Sequence, residues 1–336
     1  MYNSKIIGLG HYVPDNIVTN DDLSKIMDTN DQWIQERTGI KERRWVKPGD
    51  GQSTFSMGLE AAKKAISNSG IKKEDLDLIV FATLSPDYYF PGPGVQVQEA
   101  LEINTIAALD IRAQCSGFVY SISVADQFIK TGMYKNVLVI GSELQSHGID
   151  KSTRGRSISV IFGDGAGAAV LTREDDPTIG ILSTHIHSEG KHALELATEA
   201  PGMGSRWVTD IITDNDPEDF SYRPYMNGQF VFKHAVRRFS EVINEGLQKN
   251  NLEVSDINML IPHQANLRIS QFIQKKFGLS DDKVYNNIQK YGNTTAASIP
   301  IALSEAHQQG KVKEGDTVVL AAFGSGFTWG SVIIKW

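Results

Sequence analysis

Four short stretches of this 336-residue chain carry side chains whose chemistry fits acyl transfer. The first contains Cys115, the single cysteine of the sequence. A thiolate attacks a thioester readily and also leaves readily, so a cysteine can hold an acyl group between two substrates. A lone cysteine is more often a small buried hydrophobic residue, and a catalytic role therefore depends on partners elsewhere in the chain.

Three later stretches supply such partners. His263 follows the apolar run 259–262, Asn293 precedes a segment of small residues, and a glycine-rich turn at 324–326 follows another apolar run. Each has an ordinary structural explanation when taken alone: a hydrogen-bonded histidine, a helix cap and a tight turn. Together they offer an imidazole, a carboxamide and backbone donors, which are groups that stabilise a developing oxyanion.

The elements that position these groups are predicted from their hydrophobic patterns. Residues 105–110 form a short apolar run that indicates a buried strand, and apolar residues recur at helical spacing through 118–129. Cys115 is thus predicted to lie at the turn from a strand into a helix. The positive end of the helix dipole favours the thiolate at such a position.

The chain also repeats itself at one offset of 181 residues. Three pairs of segments match: 71–80 with 252–261, 137–140 with 318–321, and the helix around Ala125 with the helix around Ala306. Helices alternate with short apolar strands in each half, which predicts two mostly parallel sheets covered by helices, layered α/β/α/β/α. Binding sites in such sheets form at the carboxyl ends of the strands.

We predict two domains, an N-terminal half at 1–172 that carries Cys115 and a C-terminal half at 173–336 that carries His263 and Asn293. The second half includes a long polar loop at 200–227. Long loops of this kind are often lids over a binding site, so this loop is predicted to lie near the substrate entrance.

Composition and charge exclude several classes of function. The formal net charge of −7 argues against general nucleic-acid binding, which uses a basic surface. No apolar run is long enough to span a membrane, and the first ten residues do not resemble a secretory signal. A single cysteine excludes an intrachain disulfide and fits a reducing cytosol, so a cytoplasmic location is expected.

No metal site is expected. His185, His187 and His192 lie close together in the sequence, and alternate residues of a strand share a face. No cysteine or carboxylate completes a convincing ligand set around them, however, and zinc sites need three or four such ligands.

The complete set of motifs resembles the thiolase superfamily, and closely the β-ketoacyl-acyl carrier protein synthase III family. The resemblance covers nearly the whole chain, through Asp31-Gln-Trp33-Ile34, Arg37-Thr-Gly-Ile40, Cys115-Ser-Gly-Phe118, 161–168, 262–268, Gly292-Asn-Thr294 and 323–330. It implies a thiolase-like α/β fold of two duplicated halves and a homodimer. The implied activity is that of an acyltransferase, the decarboxylative Claisen condensation of an acyl-CoA primer with malonyl-acyl carrier protein. This reaction initiates fatty-acid synthesis.

The resemblance also implies a role for individual residues. Cys115 would carry the acyl group, and His263 and Asn293 would stabilise the enolate formed from the malonyl thioester. The backbone N–H groups of Cys115 and Ser325 would form the oxyanion hole, where family members often have glycine in place of Ser325. Coenzyme A thioesters are the implied substrates, without a resident cofactor. The implied coenzyme A contacts are Trp33, Arg37, Arg154, Gly155, Phe232, Ala265 and Asn266.

Docking of an acidic acyl carrier protein needs a basic patch on the enzyme. Arg268 is the contact implied by the resemblance. Lys233 and Arg237 lie four residues apart on one predicted helix and would extend the same patch. Lys275 and Lys276 follow Arg268 on another predicted helix and are interpreted as a solvated face.

Two segments differ from those of the simplest members of the family. The identity of the acyl chain that the protein accepts is therefore not fixed by the resemblance. The segment 86–94 is rich in aromatic residues, and the 200–227 loop is long. Acetyl, branched, medium-chain and aromatic primers all remain candidates. The alternatives to fatty-acid initiation are a condensing enzyme of secondary metabolism making a ketone, resorcinol or polyene precursor, a Cys–His–Asn thioester hydrolase, and a catalytically silent acyl-binding subunit.

Overall fold

The computed structural model describes residues 2–199 and 224–336. The strands of the described residues, β1 to β13 in chain order, are Asn3–Tyr12, Ile17–Thr19, Glu42–Arg44, Leu78–Ala82, Ala107–Ile111, Asn136–Glu143, Gly165–Glu174, Gly180–Ser188, Leu196–Ala197, Tyr225–Met226, Met259–Pro262, Thr317–Gly324 and Thr328–Lys335. The α-helices, α1 to α10, are Asn20–Ser24, Asp31–Thr38, Thr54–Ser69, Pro93–Ala100, Gly117–Lys130, Arg156–Ser159, Gly228–Lys249, Leu267–Phe277, Ile288–Tyr291 and Ser298–Gln308.

Two large sheets form the centre of the fold. The first has the strand order β1-β7-β6-β4-β5, and the second has the order β8-β13-β12-β11. In the first sheet β1 and β6 each run antiparallel to β7, and β6, β4 and β5 run parallel to one another. In the second sheet β8 and β12 each run antiparallel to β13, and β11 and β12 run parallel. Both sheets are therefore mixed, and the prediction of mostly parallel sheets is wrong. Among the described residues the second sheet has no full counterpart of β5, and an isolated bridge between Leu260 and Val284 lies at that edge.

The predicted internal repeat is confirmed by these elements. Three pairs of elements begin 181 residues apart: β4 and β11 at Leu78 and Met259, α5 and α10 at Gly117 and Ser298, and β6 and β12 at Asn136 and Thr317. Each pair occupies the same place in its own half, so the offset read from the sequence corresponds to a structural duplication.

The two sheets are separated by a layer of helices and covered by others. Helices α5 and α10 lie between the sheets, where Phe118, Ile122 and Leu303 are fully buried in one hydrophobic core with strands of both sheets. Burying such a side chain stabilises the fold by about 1.5–3 kcal/mol. Helix α3 packs on the outer face of the first sheet, and α7 and α8 pack on the outer face of the second. The predicted five layers are therefore present.

The chain crosses from the first sheet to the second between Glu174 and Gly180. The division into domains at 172–173 stays a prediction, although every strand of the first sheet lies before this crossing. Residues 200–223 of the predicted 200–227 loop lie outside the described residues. Strand β10 follows them and pairs with β9. None of the helices in the described part of the chain has the length and apolar content needed to cross a bilayer.

Candidate active site

Cys115 lies in a short 3₁₀ turn, Gln114–Ser116, between β5 and α5, as predicted. It is an unpaired, buried thiol. The end of β12 packs directly against it, because a Cβ atom added to Gly324 would stand 2.7 Å from the Cβ of Cys115. The hydroxyl of Ser116 donates to the backbone carbonyl of Thr328 at 2.9 Å. The turn is thus held against the second sheet on both sides of the sulfur.

The predicted preference of Cys115 for the thiolate is wrong for this state of the protein. Burial, which is the largest cause, and the nearby Glu143 carboxylate together raise the pKa of the Cys115 thiol to about 12. The loss of solvation of a buried thiolate outweighs the dipole at the start of α5. The thiol is therefore neutral near pH 7.

His263 follows β11 directly, and its backbone N–H donates to the carbonyl oxygen of Ala321 at 2.8 Å. The ring Nδ1 lies 2.6 Å from the Ser298 hydroxyl oxygen. The other ring nitrogen, Nε2, is buried and has no hydrogen-bond partner among the described residues. Burial lowers the pKa of His263 to about 3, so the imidazole is neutral.

The contacts of Ser298 favour one tautomer of His263. The Ser298 hydroxyl oxygen accepts a long hydrogen bond of 3.3 Å from the backbone N–H of Gln264. Its own hydrogen is then free to point at Nδ1, which leaves the imidazole hydrogen on Nε2. The free ring atom is therefore a donor. Sequence reasoning did not single out Ser298, although it ends the segment 291–298, which begins with Tyr291 and contains Asn293.

Asn293 is held by its backbone and by one side-chain atom. Its N–H donates to the Ile161 carbonyl at 2.9 Å, and its own carbonyl accepts from the N–H of Gly163 at 3.0 Å. The side-chain oxygen accepts from the backbone N–H of Thr295 at 2.8 Å. Because the oxygen is occupied, the amide NH₂ is the group left for another molecule.

Cys115, His263 and Asn293 line one cavity, which we call the tunnel. Its remaining walls are mostly apolar, and they come from β9, β10, α7, α8, β12 and the segment before Gly163. These wall residues are Ile161, Phe162, Leu196, Met226, Gly228, Val231, Phe232, Ala235, Phe239, Ala265, Asn266, Ile269, Phe323 and Gly324. An outer cavity lined by Arg37, Gly228, Gln229, Phe232, Asn266 and Arg268 forms the mouth of the tunnel, since three of its residues belong to both.

A second cavity opens on the other side of Cys115, and we call it the Arg112 cavity. It shares only Cys115, Phe162 and Leu196 with the tunnel. The rest of its lining is Leu84, Arg112, Gln114, Gln145, Ala197, Thr198, Pro224, Thr295 and Ser325. The sulfur thus stands where two differently lined cavities meet.

Comparison with known proteins agrees with this geometry. The family model described as 3-oxoacyl-[acyl-carrier-protein (ACP)] synthase III matches residues 109–190, and the model of its C-terminal part matches residues 247–336. A Clostridium novyi protein named beta-ketoacyl-[acyl-carrier-protein] synthase III is 44% identical over 336 residues, covering 100% of both chains. This chain belongs to the β-ketoacyl-acyl carrier protein synthase III family. Enzymes of this family are condensing acyltransferases.

Solved structures of similar proteins confirm the thiolase-like fold. The 3-oxoacyl-[acyl-carrier-protein] synthase III of Aquifex aeolicus is 44% identical and superposes with a TM-score of 0.89, covering 99% of this chain and 100% of that one. The priming beta-ketosynthase from the R1128 polyketide biosynthetic pathway is 30% identical with a TM-score of 0.88, covering 99% of this chain and 96% of that one. The family resemblance read from the motifs is thus confirmed.

Most coenzyme A contacts that the family resemblance implies lie along the tunnel. Arg37, Phe232 and Asn266 line its mouth, and Ala265 lines its interior. Arg154 and Gly155 line a neighbouring cavity that shares Met226 with the tunnel.

Trp33 lies beside this group, with the guanidinium carbons of Arg37 and Arg156 at 4.3 and 5.3 Å from the centroid of its ring. Sequence reasoning missed Arg156, which stands two residues beyond Arg154 as the first residue of α6.

Asn266 has a structural role in addition to lining the tunnel. Its side-chain oxygen accepts from the backbone N–H of Arg268 at 2.9 Å and so caps α8. Its amide donates to the carbonyl of Arg37 at 2.9 Å, which joins the end of α2 to the start of α8.

The residues predicted to dock the carrier protein are all exposed, but they differ in whether they form ion pairs. Arg268 and Lys233 are exposed, with Arg268 at the tunnel mouth. Arg237 is also exposed, but it pairs with Glu241 at 2.7 Å on its own helix, so part of its charge is neutralised.

Ser325 lines the Arg112 cavity, and its hydroxyl donates to the carbonyl of Leu196.

Glu143, at the end of β6, was not identified from the sequence. Its buried carboxylate accepts hydrogen bonds from Thr83, Leu84, Ser85, Gln145 and, at 3.5 Å, the backbone of Ala296. Burial raises its pKa to about 7. It therefore joins the loop after β4 to the turn after Asn293, close enough to Cys115 to affect the thiol.

The histidines weighed as metal ligands have other partners. His185 and His187 do share a face of β8, and both lie against Glu245, at 3.3 and 2.6 Å. Glu189, His192 and His234 offer ligand atoms within 4.8 Å of one another. The Glu189 carboxylate already pairs with Arg238 and Lys191, however, and these two positive charges oppose a bound cation. We therefore assign no metal role to this group.

Proposed function

We propose that this protein condenses an acyl-CoA primer with malonyl-acyl carrier protein to give a 3-oxoacyl-acyl carrier protein, the step that initiates fatty-acid synthesis. The observation that carries the proposal is the meeting of Cys115, His263 and Asn293 in one tunnel of a chain of this family. The reaction proceeds through an acyl-Cys115 intermediate in two half-reactions.

In the first half-reaction the Cys115 sulfur bonds to the carbonyl carbon of the primer, and the bond from that carbon to the coenzyme A sulfur breaks. Because the thiol is neutral in its buried site, its proton is lost as the new bond forms, and coenzyme A leaves as a thiol. The oxyanion of this step lies between the backbone N–H groups of Cys115 and Ser325. The contact of Gly324 with Cys115 supports this assignment, since it holds that loop against the sulfur.

In the second half-reaction the malonyl thioester loses CO₂, and the enolate carbon bonds to the acyl carbonyl carbon. The bond from that carbon to the Cys115 sulfur breaks, and the sulfur leaves as a thiolate that takes up a proton from solvent. The enolate oxygen accepts from Nε2–H of His263 and from the amide of Asn293. Support comes from the opposite atoms of these side chains, which are held by Ser298 and by the Thr295 N–H. A neutral His263 suits this role, because it donates without transferring its proton.

Both substrates reach the sulfur through the tunnel. The coenzyme A nucleotide binds outside the mouth, where Trp33, Arg37, Arg154 and Arg156 provide an aromatic face and positive charge. The remaining residues of this binding region are Gly155, Phe232, Ala265 and Asn266. Coenzyme A thioesters serve as substrates, and no resident cofactor is part of the proposal.

The acyl carrier protein docks at the same mouth. Arg268 is exposed there and Lys233 is exposed on α7, and both would meet its acidic surface, while Arg237 contributes less because it is paired. A cytoplasmic location belongs to the proposal, since the active-site thiol has to stay reduced.

The active form is proposed to be a homodimer joined along β5. This strand lies at the edge of the first sheet with Leu109 exposed, so its outer backbone groups are open to pairing. Tyr88, Tyr89 and Phe90, on the loop after the neighbouring strand β4, are 60, 60 and 79% exposed. Aromatic rings exposed together mark an interaction surface. Analytical ultracentrifugation should give twice the monomer mass, and a monomer would refute this part.

A related condensing enzyme of secondary metabolism is the second candidate. It is favoured by the similarity to the R1128 priming ketosynthase and by the polar lining of the Arg112 cavity. The two candidates share the chemistry and differ in primer and product.

Intact-mass spectrometry after incubation with a panel of acyl-CoA primers tests the proposal. The wild type should gain one acyl group, and Cys115→Ala should gain none. Addition of malonyl-acyl carrier protein should then release a 3-oxoacyl product and restore the free mass. If the acyl group is instead released as free acid with no new carbon–carbon bond, the protein is a hydrolase.

A further inference from the structure

The Arg112 cavity adjoins the sulfur that would carry the acyl group, and a larger share of its lining residues is polar than in the tunnel. A saturated chain needs only apolar walls, and every hydrogen-bonding group it covers is left unsatisfied. Six of the side chains that line this cavity carry polar groups: Arg112, Gln114, Gln145, Thr198, Thr295 and Ser325. The tunnel, by contrast, has mostly apolar walls away from the reacting groups.

Arg112 supplies a positive charge to this cavity. It stands three residues before Cys115, at the end of β5, and its side chain is exposed. Among residues 2–199 and 224–336 its guanidinium makes neither an ion pair nor a hydrogen bond. Its five N–H donors are therefore unused by the described residues, and their planar arrangement matches the two oxygens of a carboxylate.

Thr295 supplies a buried hydroxyl next to the same space. The residue is 1% exposed, and its Oγ1 has no hydrogen-bond partner among the described residues. An unpaired buried polar group costs about 1–3 kcal/mol, so a partner for it would be stabilising.

Backbone strain also concentrates at this cavity. Gln114 and Thr295 have positive φ angles of 46° and 51°, in the left-handed region that glycine adopts most easily. The other described non-glycine residues with positive φ, Glu102 and Asn251, lie in exposed turns at the ends of helices. Both strained residues near the sulfur thus keep a hydrogen-bonding side chain where glycine would relieve the strain.

Glu143, a buried acidic residue that contacts Gln145 of the cavity lining, does not pair with Arg112. Glu143 instead accepts bonds from the side chains of Thr83, Ser85 and Gln145. Its carboxylate is satisfied within the protein, so the guanidinium remains free for a ligand.

We infer that the Arg112 cavity binds a primer whose acyl chain ends in a carboxylate, the half-thioester of a short dicarboxylic acid. This inference rests on the function proposed above, because it concerns the acyl group that Cys115 accepts. The chemistry is unchanged: the thioester carbonyl bonds to Cys115, coenzyme A leaves as a thiol, and the distal carboxylate takes no part. Condensation then yields a 3-oxoacyl thioester that keeps this distal carboxylate.

The short sequence separation between Arg112 and Cys115 limits the length of a primer that would contact both residues. Three residues span at most about 10 Å between Cα atoms, and Arg112 and Cys115 line the same cavity, so short acyl chains are the ones to test. Glutaryl-CoA and succinyl-CoA are therefore suitable probes. Pentanoyl-CoA and butyryl-CoA have the same numbers of carbons and lack the charge.

A competition experiment measures the preference directly. Equal concentrations of glutaryl-CoA and pentanoyl-CoA are mixed with the enzyme, and intact-mass spectrometry gives the ratio of the two acyl-enzymes at early times. Hydrogen bonds to charged groups change binding by about ten- to a hundredfold, and the exposure of Arg112 favours the lower figure. We expect a ratio of about ten in favour of glutaryl.

Variants of Arg112 identify the source of the preference. Arg112→Leu should lower the ratio about tenfold, and Arg112→Lys should give an intermediate value because it keeps charge without the planar pair of donors. Arg173→Leu, an arginine on β7 outside both cavities, should leave the ratio at the wild-type value. A melting curve for each variant separates loss of fold from loss of selectivity.

Two results would overturn the inference while leaving the proposed function intact. They are a wild-type ratio of one or below with active condensation of pentanoyl-CoA, or an unchanged ratio in Arg112→Leu. If no acyl-CoA of either kind modifies Cys115, the proposed function fails as well.

Discussion

The tunnel and the Arg112 cavity meet at Cys115 and share Phe162 and Leu196, yet their walls differ in kind. The tunnel combines two fixed donors, His263 and Asn293, with otherwise mostly apolar walls. Half of the residues that line the Arg112 cavity are polar, and the Arg112 guanidinium and the Thr295 hydroxyl have no partner among the described residues. This difference indicates that the tunnel serves the reaction common to all substrates, whereas the Arg112 cavity recognises one kind of acyl group.

This division follows from what each space has to accept. The tunnel admits the same pantetheine arm from every substrate, so its walls need only exclude water and hold the donors. The Arg112 cavity receives the part of the substrate that varies. A substitution in the tunnel should therefore change condensation for all primers, and a substitution in the Arg112 cavity should change the choice of primer.

The largest effect is expected from Asn293, on the tunnel side. Asn293→Ala removes one enolate donor and should slow condensation about 10²–10³-fold. Acylation of Cys115 should continue, because that step uses other donors. Asn293→Asp is the matched control for shape: it keeps the oxygen that accepts from Thr295 and loses the NH₂, so it should fail equally.

Intact-mass spectrometry follows acylation in these variants, and product release follows condensation. Normal condensation by Asn293→Ala would remove Asn293 from the mechanism and with it the assignment of the tunnel to the second half-reaction.

The next effect is expected from Ser298, which holds the ring of His263. Ser298→Ala should slow condensation by up to about tenfold, the value of one hydrogen bond, because Nδ1 loses its donor and the Nε2–H tautomer is no longer favoured. Ser304→Ala on the same helix is the control, since Ser304 makes a similar 2.9 Å contact with His11 outside the site. Equal losses in the two variants would show that the effect is one of stability alone.

A smaller effect is expected from Glu143, beside the Arg112 cavity. Its carboxylate is charged above pH 7 and raises the pKa of Cys115. Glu143→Gln removes this negative charge, so the pKa of the thiol should fall and iodoacetamide should modify Cys115 several-fold faster at pH 8 to 9. Glu305→Gln, a substitution of a partly buried carboxylate on α10, should leave that rate unchanged. A slower reaction in Glu143→Gln would reverse the assigned electrostatics.

The smallest effect is expected at the tunnel mouth. Arg268→Glu should lower kcat/KM for malonyl-acyl carrier protein by roughly two- to fivefold, as expected for an exposed charge, and change it less for malonyl-CoA. Lys275→Glu, on the same helix and exposed, is the control. Equal losses for both substrates would remove Arg268 from carrier recognition.

Much of the fold and part of the site were predictable from the sequence. The hydrophobic periods located β4, β11 and α5, and one offset of 181 residues related the two halves. Cys115, His263 and Asn293 were recognised because each stands where a strand ends or a helix begins, and such positions are marked by local residue types. Local patterns suffice for these features because they depend on residues that are close together in the chain.

The properties of the site depended on contacts between distant residues. The bond from Ser298 to His263, the effect of Glu143 on Cys115 and the stacking of Arg156 on Trp33 each join different elements. The prediction that Cys115 favours the thiolate failed for the same reason. Burial by residues from several elements raises the pKa of the thiol more than the dipole of the following helix lowers it. The polar character of the Arg112 cavity also appears only when its walls are assembled. The sequence thus determined which groups are present and which elements carry them, and packing decided which charges are desolvated, which donors are free and what each cavity can bind.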